Sequence, residues 1–79
     1  MTSRVASRRA PNVILQEMRI NAGLSPNDLA ARAHTTGNTV RLAEKGFPPG
    51  PRIQFQIAKA LGCLPLDIWP MDKQPRVAR

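Results

Sequence analysis

The stretch HTTGNTVRLAEKG, residues 34–46, determines how the rest of the chain is interpreted. Val40 and Ala43 are three residues apart and therefore lie on the same face of a helix. Thr36 is a suitable N-cap, so the stretch predicts a helix over Gly37–Glu44 whose other face carries an asparagine, a threonine and an arginine. Such a face either reads the edges of DNA bases or is the solvated side of an ordinary amphipathic helix.

Proline and glycine residues divide the flanking chain into four further short helices. A proline is tolerated at the first helical position because its missing N–H would have no partner there. Ser25 is a suitable N-cap for the second helix, with Pro26 first and Asp28 third, where a carboxylate complements the helix dipole. The four helices are predicted from Pro11 to Gly23, over Pro26–Ala33, from Pro51 to Gly62, and as a turn or short helix in LPLDIWP, residues 64–70.

The apolar residues of these helices recur at helical spacing and predict one shared core. The fold class is therefore all-α, a compact domain of five short helices. Phe55 is expected on or near the core and Cys63 as a core thiol, whereas Phe47 is expected at the surface. Trp69 fits either the core or a dimer surface. The predicted core comprises Ile14, Leu15, Met18, Ala22, Leu29, Ala30, Ala33, Val40, Ala43, Ile53, Ile57, Ala58 and Leu61.

Most of the net positive charge lies at the two ends of the chain. There are 12 Lys and Arg against 5 Asp and Glu, for a net charge of +7. We expect flexible basic arms over residues 1–10 and 71–79, with the folded domain at 11–70. Arms of this kind track phosphates and release counterions, which favours a polyanionic partner. The alternative is that the basic ends only keep a small protein in solution.

The residue types disfavour several other classes of function. Cys63 is the only cysteine, so the chain forms neither an internal disulfide nor a cysteine-based metal site. His34 has no evident partner ligands, and we expect no metal and no cofactor. An enzyme is not expected, because no nucleophile–base arrangement can be assigned. No apolar run approaches the roughly 18 residues that cross a bilayer, and the start lacks a signal-type core, so a cytoplasmic protein is expected, nucleoid-associated if it binds DNA.

Five segments taken in order carry a family resemblance: LQEMRINAGLS, LAARA, TTGNTVRLAEKG, PRIQFQIAKALG and LDIW. Together they resemble the lambda-repressor-like, Cro/XRE-type family of helix-turn-helix DNA-binding domains, over about residues 13–69. The resemblance implies that Gly37–Glu44 is a recognition helix. It also implies an ion pair between an arginine of the first helix and a glutamate at the end of the third, positions held here by Arg19 and Glu44. The alternative is two separate surface charges.

The resemblance further implies which side chains contact double-stranded DNA. Asn38 has the amide for a bidentate contact with adenine, Arg41 reaches guanine or phosphate, and Leu42 supplies an apolar contact. Phosphate contacts position the domain without reading sequence. The implied base-reading set is Gly37, Asn38, Thr39, Arg41 and Leu42; the phosphate set is Arg19, Ser25, Asn27, Thr36, Lys45 and Arg52; and the basic arm supplies Arg4, Arg8 and Arg9.

Three positions depart from the family pattern. Pro26 replaces a glutamine that often touches phosphate, and proline has no N–H to donate. Gly37 stands where a base-reading side chain is common. His34 stands at a turn position that is usually glycine, so either this histidine tolerates a positive φ at some cost or the turn differs.

Two functions from different classes follow as expectations. The first is a sequence-specific transcriptional regulator that binds double-stranded DNA, a repressor of the phage or mobile-element type that occludes a promoter as a homodimer. The fifth helix, with Leu64, Leu66 and Trp69, is the expected dimer surface. The second is a protein-interaction module with weak or no DNA binding, such as an antiactivator or antitoxin, which Pro26 and Gly37 favour. RNA polymerase, an activator or a toxin would be its partner, and no membrane is expected to be involved.

Overall fold

Five α-helices make up the part of the chain that the structure, a computed structural model, describes, namely residues 10–70. No β-strand occurs in this range, so the predicted all-α class with five short helices is confirmed. The first helix begins at Val13, two residues after Pro11, which is its predicted first residue. The predicted arms lie outside the described residues, apart from residue 10. The helices are α1 (Val13–Asn21), α2 (Pro26–Ala33), α3 (Gly37–Glu44), α4 (Pro51–Leu61) and α5 (Pro65–Ile68).

Side-chain caps fix the starts of α2 and α3 at the predicted residues. The Ser25 hydroxyl accepts from the Asp28 backbone N–H at 3.0 Å, and Asp28 Oδ2 accepts from the Ser25 N–H at 3.1 Å. The Thr36 hydroxyl accepts from the Thr39 N–H at 3.2 Å. Each cap satisfies a backbone donor that has no partner within its own helix, and such a cap contributes about 1 kcal/mol.

The core lies where α2 packs against α3 and α4, with α1 packed on α3 and α5 on α4. Trp69 is only 1% exposed, which places it in the core and removes it from the expected dimer surface. Partly buried residues surround the core, including Cys63, which is half-buried rather than fully enclosed. The buried residues are Leu15, Leu29, Ala30, Ala33, Val40, Ala43, Ile57, Ala58, Ile68 and Trp69, with Gln54 as the buried polar side chain.

Three residues expected at the core lie instead at the surface: Ile14, Ala22 and Phe55. In α4 the buried stripe runs through Gln54, Ile57 and Ala58. Phe55 follows Gln54 by about 100° around the helix, which turns its ring outward, 56% exposed. A glutamine therefore occupies the interior position that hydropathy alone assigns to the phenylalanine.

Asn12 joins three parts of the fold. Its side-chain oxygen accepts from the Leu15 N–H at 3.0 Å and so caps α1. Its Nδ2 donates to the Ile68 carbonyl at 3.1 Å, and its backbone N–H donates to the Glu44 carbonyl at 2.8 Å. One asparagine thus ties the start of α1 to the ends of α5 and α3, and this cap explains why α1 begins after Pro11.

His34 adopts the left-handed conformation that the turn requires. Its φ is 58° and its ψ is 44°, and it is the C-cap of α2. The Thr35 N–H donates to the Ala30 carbonyl at 2.9 Å, which closes the helix end in the usual manner of a left-handed cap. Of the two alternatives, the histidine therefore tolerates a positive φ. Gln56 supports the turn, because its Nε2 donates to the Ala33 carbonyl at 2.5 Å.

We predict that His34→Gly stabilises the domain. The left-handed conformation costs a side-chain-bearing residue about 1–2 kcal/mol. Glycine loses about 0.5–1 kcal/mol more conformational freedom on folding, so a net gain of roughly 0.5–1 kcal/mol is expected in urea unfolding. Ala31→Gly, at an exposed helical position, is the matched control and lowers the unfolding free energy by about 1 kcal/mol. A neutral or destabilising His34→Gly contradicts the prediction.

We also predict that Asn12→Ala lowers the unfolding free energy by about 1–3 kcal/mol. The substitution removes the α1 cap and leaves the Ile68 carbonyl without its Asn12 donor. Thermal or urea unfolding followed by circular dichroism measures the loss. The control is Asn21→Ala at the exposed end of α1, expected within about 0.5 kcal/mol of the parent. Equal effects of the two substitutions would show that Asn12 acts only locally.

Candidate nucleic-acid interface

One face of α3 presents a stripe of chemically different side chains to solvent. Asn38, Arg41, Leu42 and Lys45 are all exposed and are spaced at i, i+3, i+4 and i+7. We call these four residues the α3 stripe. An amide, a guanidinium, an apolar group and an ammonium follow one another along it. The opposite face of α3 packs into the core, where Val40 and Ala43 are fully buried. Because this packing fixes the rotation of α3, the stripe faces solvent.

The other two expected base-reading residues are half-buried at the start of α3. The Thr39 hydroxyl lies 3.0 Å from the Thr36 hydroxyl, so these two side chains form one hydrogen-bonded unit. A Cβ at Gly37 would overlap Asn27 Oδ1 and would lie 3.1 Å from Arg41 Nη1. Gly37 therefore leaves room for the Asn27 side chain next to Arg41, which gives a structural reason for the glycine.

Asn27 and Arg41 meet in the space beside Gly37. Arg41 Nη2 donates to Asn27 Oδ1 at 3.3 Å, across the gap that Gly37 leaves open. The bond restricts the guanidinium without burying it, since both side chains are exposed. Asn27, an expected phosphate contact, thus orients Arg41, an expected base-reading residue.

The remaining expected phosphate contacts are exposed but differ in surroundings. Thr36, Lys45 and Arg52 lie at helix ends, where they can reach a backbone that passes α3. Ser25 has a carboxylate beside it. The Ser25 N–H and hydroxyl lower the pKa of Asp28 from its ordinary value, because their hydrogen bonds stabilise the ionised carboxylate. Its negative charge opposes a phosphate at Ser25.

Arg19 and Glu44 form the ion pair that the family resemblance implied. Nε of Arg19 lies 2.5 Å from Oε2 of Glu44, and Nη2 donates to Oε1 at 3.2 Å. Nη1 donates to the Leu24 carbonyl at 2.8 Å. Each charged side chain is only 12% exposed. This arrangement neutralises Arg19 and leaves it little accessible surface, so we remove Arg19 from the set of expected phosphate contacts.

Three side-chain amides that support the site were missed by the sequence reasoning: Asn12, Gln54 and Gln56. Gln54 is 2% exposed, and its Nε2 donates to the Pro49 carbonyl at 2.8 Å. The bond fixes the proline loop to α4 and so positions Arg52 at the start of that helix. From the sequence alone, such an amide is expected to face solvent. Its role becomes evident only from the backbone carbonyl that accepts its hydrogen bond in the folded structure.

Other chemistry has little support among residues 10–70. No group of three or more His, Cys, Asp or Glu residues is placed to hold a metal ion there. Burial, and to a lesser degree the charge of Asp67, raise the pKa of the Cys63 thiol, which disfavours the nucleophilic thiolate. Over the same residues, no helix has the length and apolarity to cross a bilayer.

Comparison with known proteins gives no further identification. No family model, curated protein or solved structure matches the chain. The resemblance to the lambda-repressor-like domains therefore depends on the sequence segments quoted above.

We predict strong energetic coupling between Arg19 and Glu44. A double-mutant cycle with Arg19→Ala, Glu44→Ala and the double variant measures it by urea unfolding. Charge-assisted hydrogen bonds with little solvent exposure predict a coupling of about 1.5–3 kcal/mol. Arg32 and Glu17, both exposed, provide a control cycle with the same substitutions and an expected coupling near zero. Additive effects at Arg19 and Glu44 would contradict the prediction.

Proposed function

We propose that the protein is a sequence-specific regulator of transcription that binds double-stranded DNA through α3, in the manner of the lambda-repressor-like domains. The observation that carries the proposal is the α3 stripe. Its members are exposed, share one helix face and offer the groups that distinguish base pairs in the major groove. The buried face of the same helix is held by the core, so the stripe is presented on a rigid element.

The chemistry assigns a role to each residue of the stripe. Asn38 pairs with an adenine edge, and Leu42, 41% exposed, contacts a thymine methyl. Arg41, oriented by Asn27, reaches guanine or an adjacent phosphate. Lys45 contacts phosphate, as do Asn27, Thr36 and Arg52, which are placed on three different helix starts.

A single copy reads only a short stretch of DNA. α3 has eight residues and is therefore about 12 Å long, so only a few base pairs lie within its reach. Two copies on half-sites about 34 Å apart would supply the remaining specificity. Leu64 and Leu66, 68% and 53% exposed, provide an apolar surface at α5 for such a homodimer. Occupancy of a promoter by the dimer would repress transcription sterically, as in small regulators of phages and mobile elements.

The proposal is tested by fluorescence anisotropy with DNA from upstream of the protein's own gene and a scrambled duplex, each at two salt concentrations. We expect the native duplex to bind about 10³-fold tighter. Asn38→Ala and Arg41→Ala should each weaken that binding by roughly 5- to 150-fold, with little effect on the scrambled duplex. Arg32→Ala is the control, because it removes one exposed positive charge outside the stripe.

Equal, weak and salt-sensitive binding of both duplexes would contradict the proposal. The basic ends would then bind DNA only by counterion release. That result would favour the protein-interaction module, for which Pro26 supplies the sequence argument because it offers no N–H to phosphate. An Arg32→Ala effect as large as that of Arg41→Ala would likewise show that total charge, not the stripe, determines affinity.

A further inference from the structure

A second basic surface lies between the C-terminal end of α2 and the outer face of α4. It is a concave depression of about 620 Å³. We call it the α2/α4 depression. It shares Arg52 with the expected phosphate contacts, but none of the α3 stripe lines it. Its principal lining residues are Arg32, His34, Arg52, Phe55, Gln56 and Lys59.

The depression carries positive charge that the described part of the chain does not neutralise within it. Arg32, Arg52 and Lys59 line it, and no carboxylate does. Asp28, one helical turn before Arg32, attracts it electrostatically, but its carboxylate accepts from the Ser25 N–H and does not line the depression. The other acids of residues 10–70 lie elsewhere: Glu44 is paired with Arg19, Asp67 accepts from the Leu64 N–H, and Glu17 is on α1. The charge pattern is therefore complementary to an acidic partner.

An exposed aromatic ring accompanies these cations. Phe55 is 56% exposed on α4, where it lies beside the buried stripe of Gln54, Ile57 and Ala58 rather than on it. The amide of Gln56 is directed to the carbonyls of Ala33 and His34, so it is engaged with the turn rather than with solvent. An aromatic side chain flanked by arginines is the composition typical of energetically dominant residues in protein–protein interfaces.

We propose that the α2/α4 depression binds an acidic protein segment that carries an apolar side chain. The carboxylates would pair with Arg32, Arg52 and Lys59, and the apolar side chain would pack on Phe55. Duplex DNA fits less well, because its phosphates can pair with the cations but its backbone offers no large apolar side group to pack on Phe55. Single-stranded nucleic acid usually stacks successive bases on several aromatic side chains, and Phe55 is the one large aromatic ring that lines the depression, beside the smaller imidazole of His34.

The full chain is tested for binding to a fluorescein-labelled peptide of about 12 residues that is half Asp and Glu, with a central Leu–Phe pair. An oligo-glutamate of equal charge and an oligo(dT) of equal length are the comparison probes. We expect the peptide to bind at least about tenfold tighter than oligo-glutamate, because only the peptide can use Phe55. Phe55→Ala should remove that preference, and Arg32→Gln with Lys59→Gln should weaken peptide binding by about tenfold.

The matched control is Arg41→Gln with Lys45→Gln, which removes the same charge from the α3 stripe. This variant should change peptide affinity by less than about twofold, while it abolishes the preference for native DNA. A failure of the DNA-binding proposal can therefore be distinguished from a failure of the peptide-binding proposal. Arg52 is left intact because it also belongs to the expected DNA contacts. Arg32, Phe55 and Lys59 are exposed, so the variants should keep the melting temperature of the parent.

Chemical-shift mapping on the unsubstituted protein gives an independent result. The peptide should perturb backbone amides of the end of α2 and of α4, and not those of the α3 stripe. Equal binding of oligo-glutamate, or a Phe55→Ala variant that keeps the preference, would overturn the proposal in favour of unspecific charge attraction. Tighter binding of oligo(dT), lost in the same variants, would overturn it in favour of a nucleic-acid site.

Discussion

The ion pair between Arg19 and Glu44 connects the first helix to the last residue of α3. Burying two charges costs desolvation energy, and the pair recovers it only because its geometry is bidentate and the Leu24 carbonyl accepts a further bond. The Asn12 N–H donates to the carbonyl of the same Glu44. The end of α3 is thus held by both its side chain and its backbone, which fixes the direction of every residue that α3 exposes.

Small residues line the contact between α2 and α3. Ala30 and Ala33 of α2 and Ala43 of α3 belong to the buried core. Gly37 admits Asn27, which in turn binds Arg41. The absence of a side chain at Gly37 weakens α3 as a set of base-reading groups, but it positions the arginine that remains. The same residue therefore has a structural and a proposed functional consequence.

Exposed positive charge is left on two surfaces, because most of the acidic residues are engaged in contacts that stabilise the fold. Three of the four acids in residues 10–70 are engaged in an ion pair or a helix cap, where they contribute to stability. The exposed cations remain on the α3 stripe and around the α2/α4 depression. With a thin core, a domain of this size has little interior in which to enclose a ligand, and its chemistry is therefore carried on helix surfaces.

The sequence by itself determined the five helices and most of their ends, because caps, prolines and glycines act within a few residues. Ser25 and Thr36 illustrate this, since each begins a helix through a side-chain cap, and Gly62 ends a helix in the left-handed conformation. The tertiary structure alone decided that Phe55 faces solvent while Gln54 and Trp69 are buried, and that Asn12 joins three helices. Burial and hydrogen bonding at these residues depend on contacts between parts of the chain that are far apart in sequence. The space available for packing and the presence of a carbonyl acceptor decide them, rather than the hydropathy of the side chain.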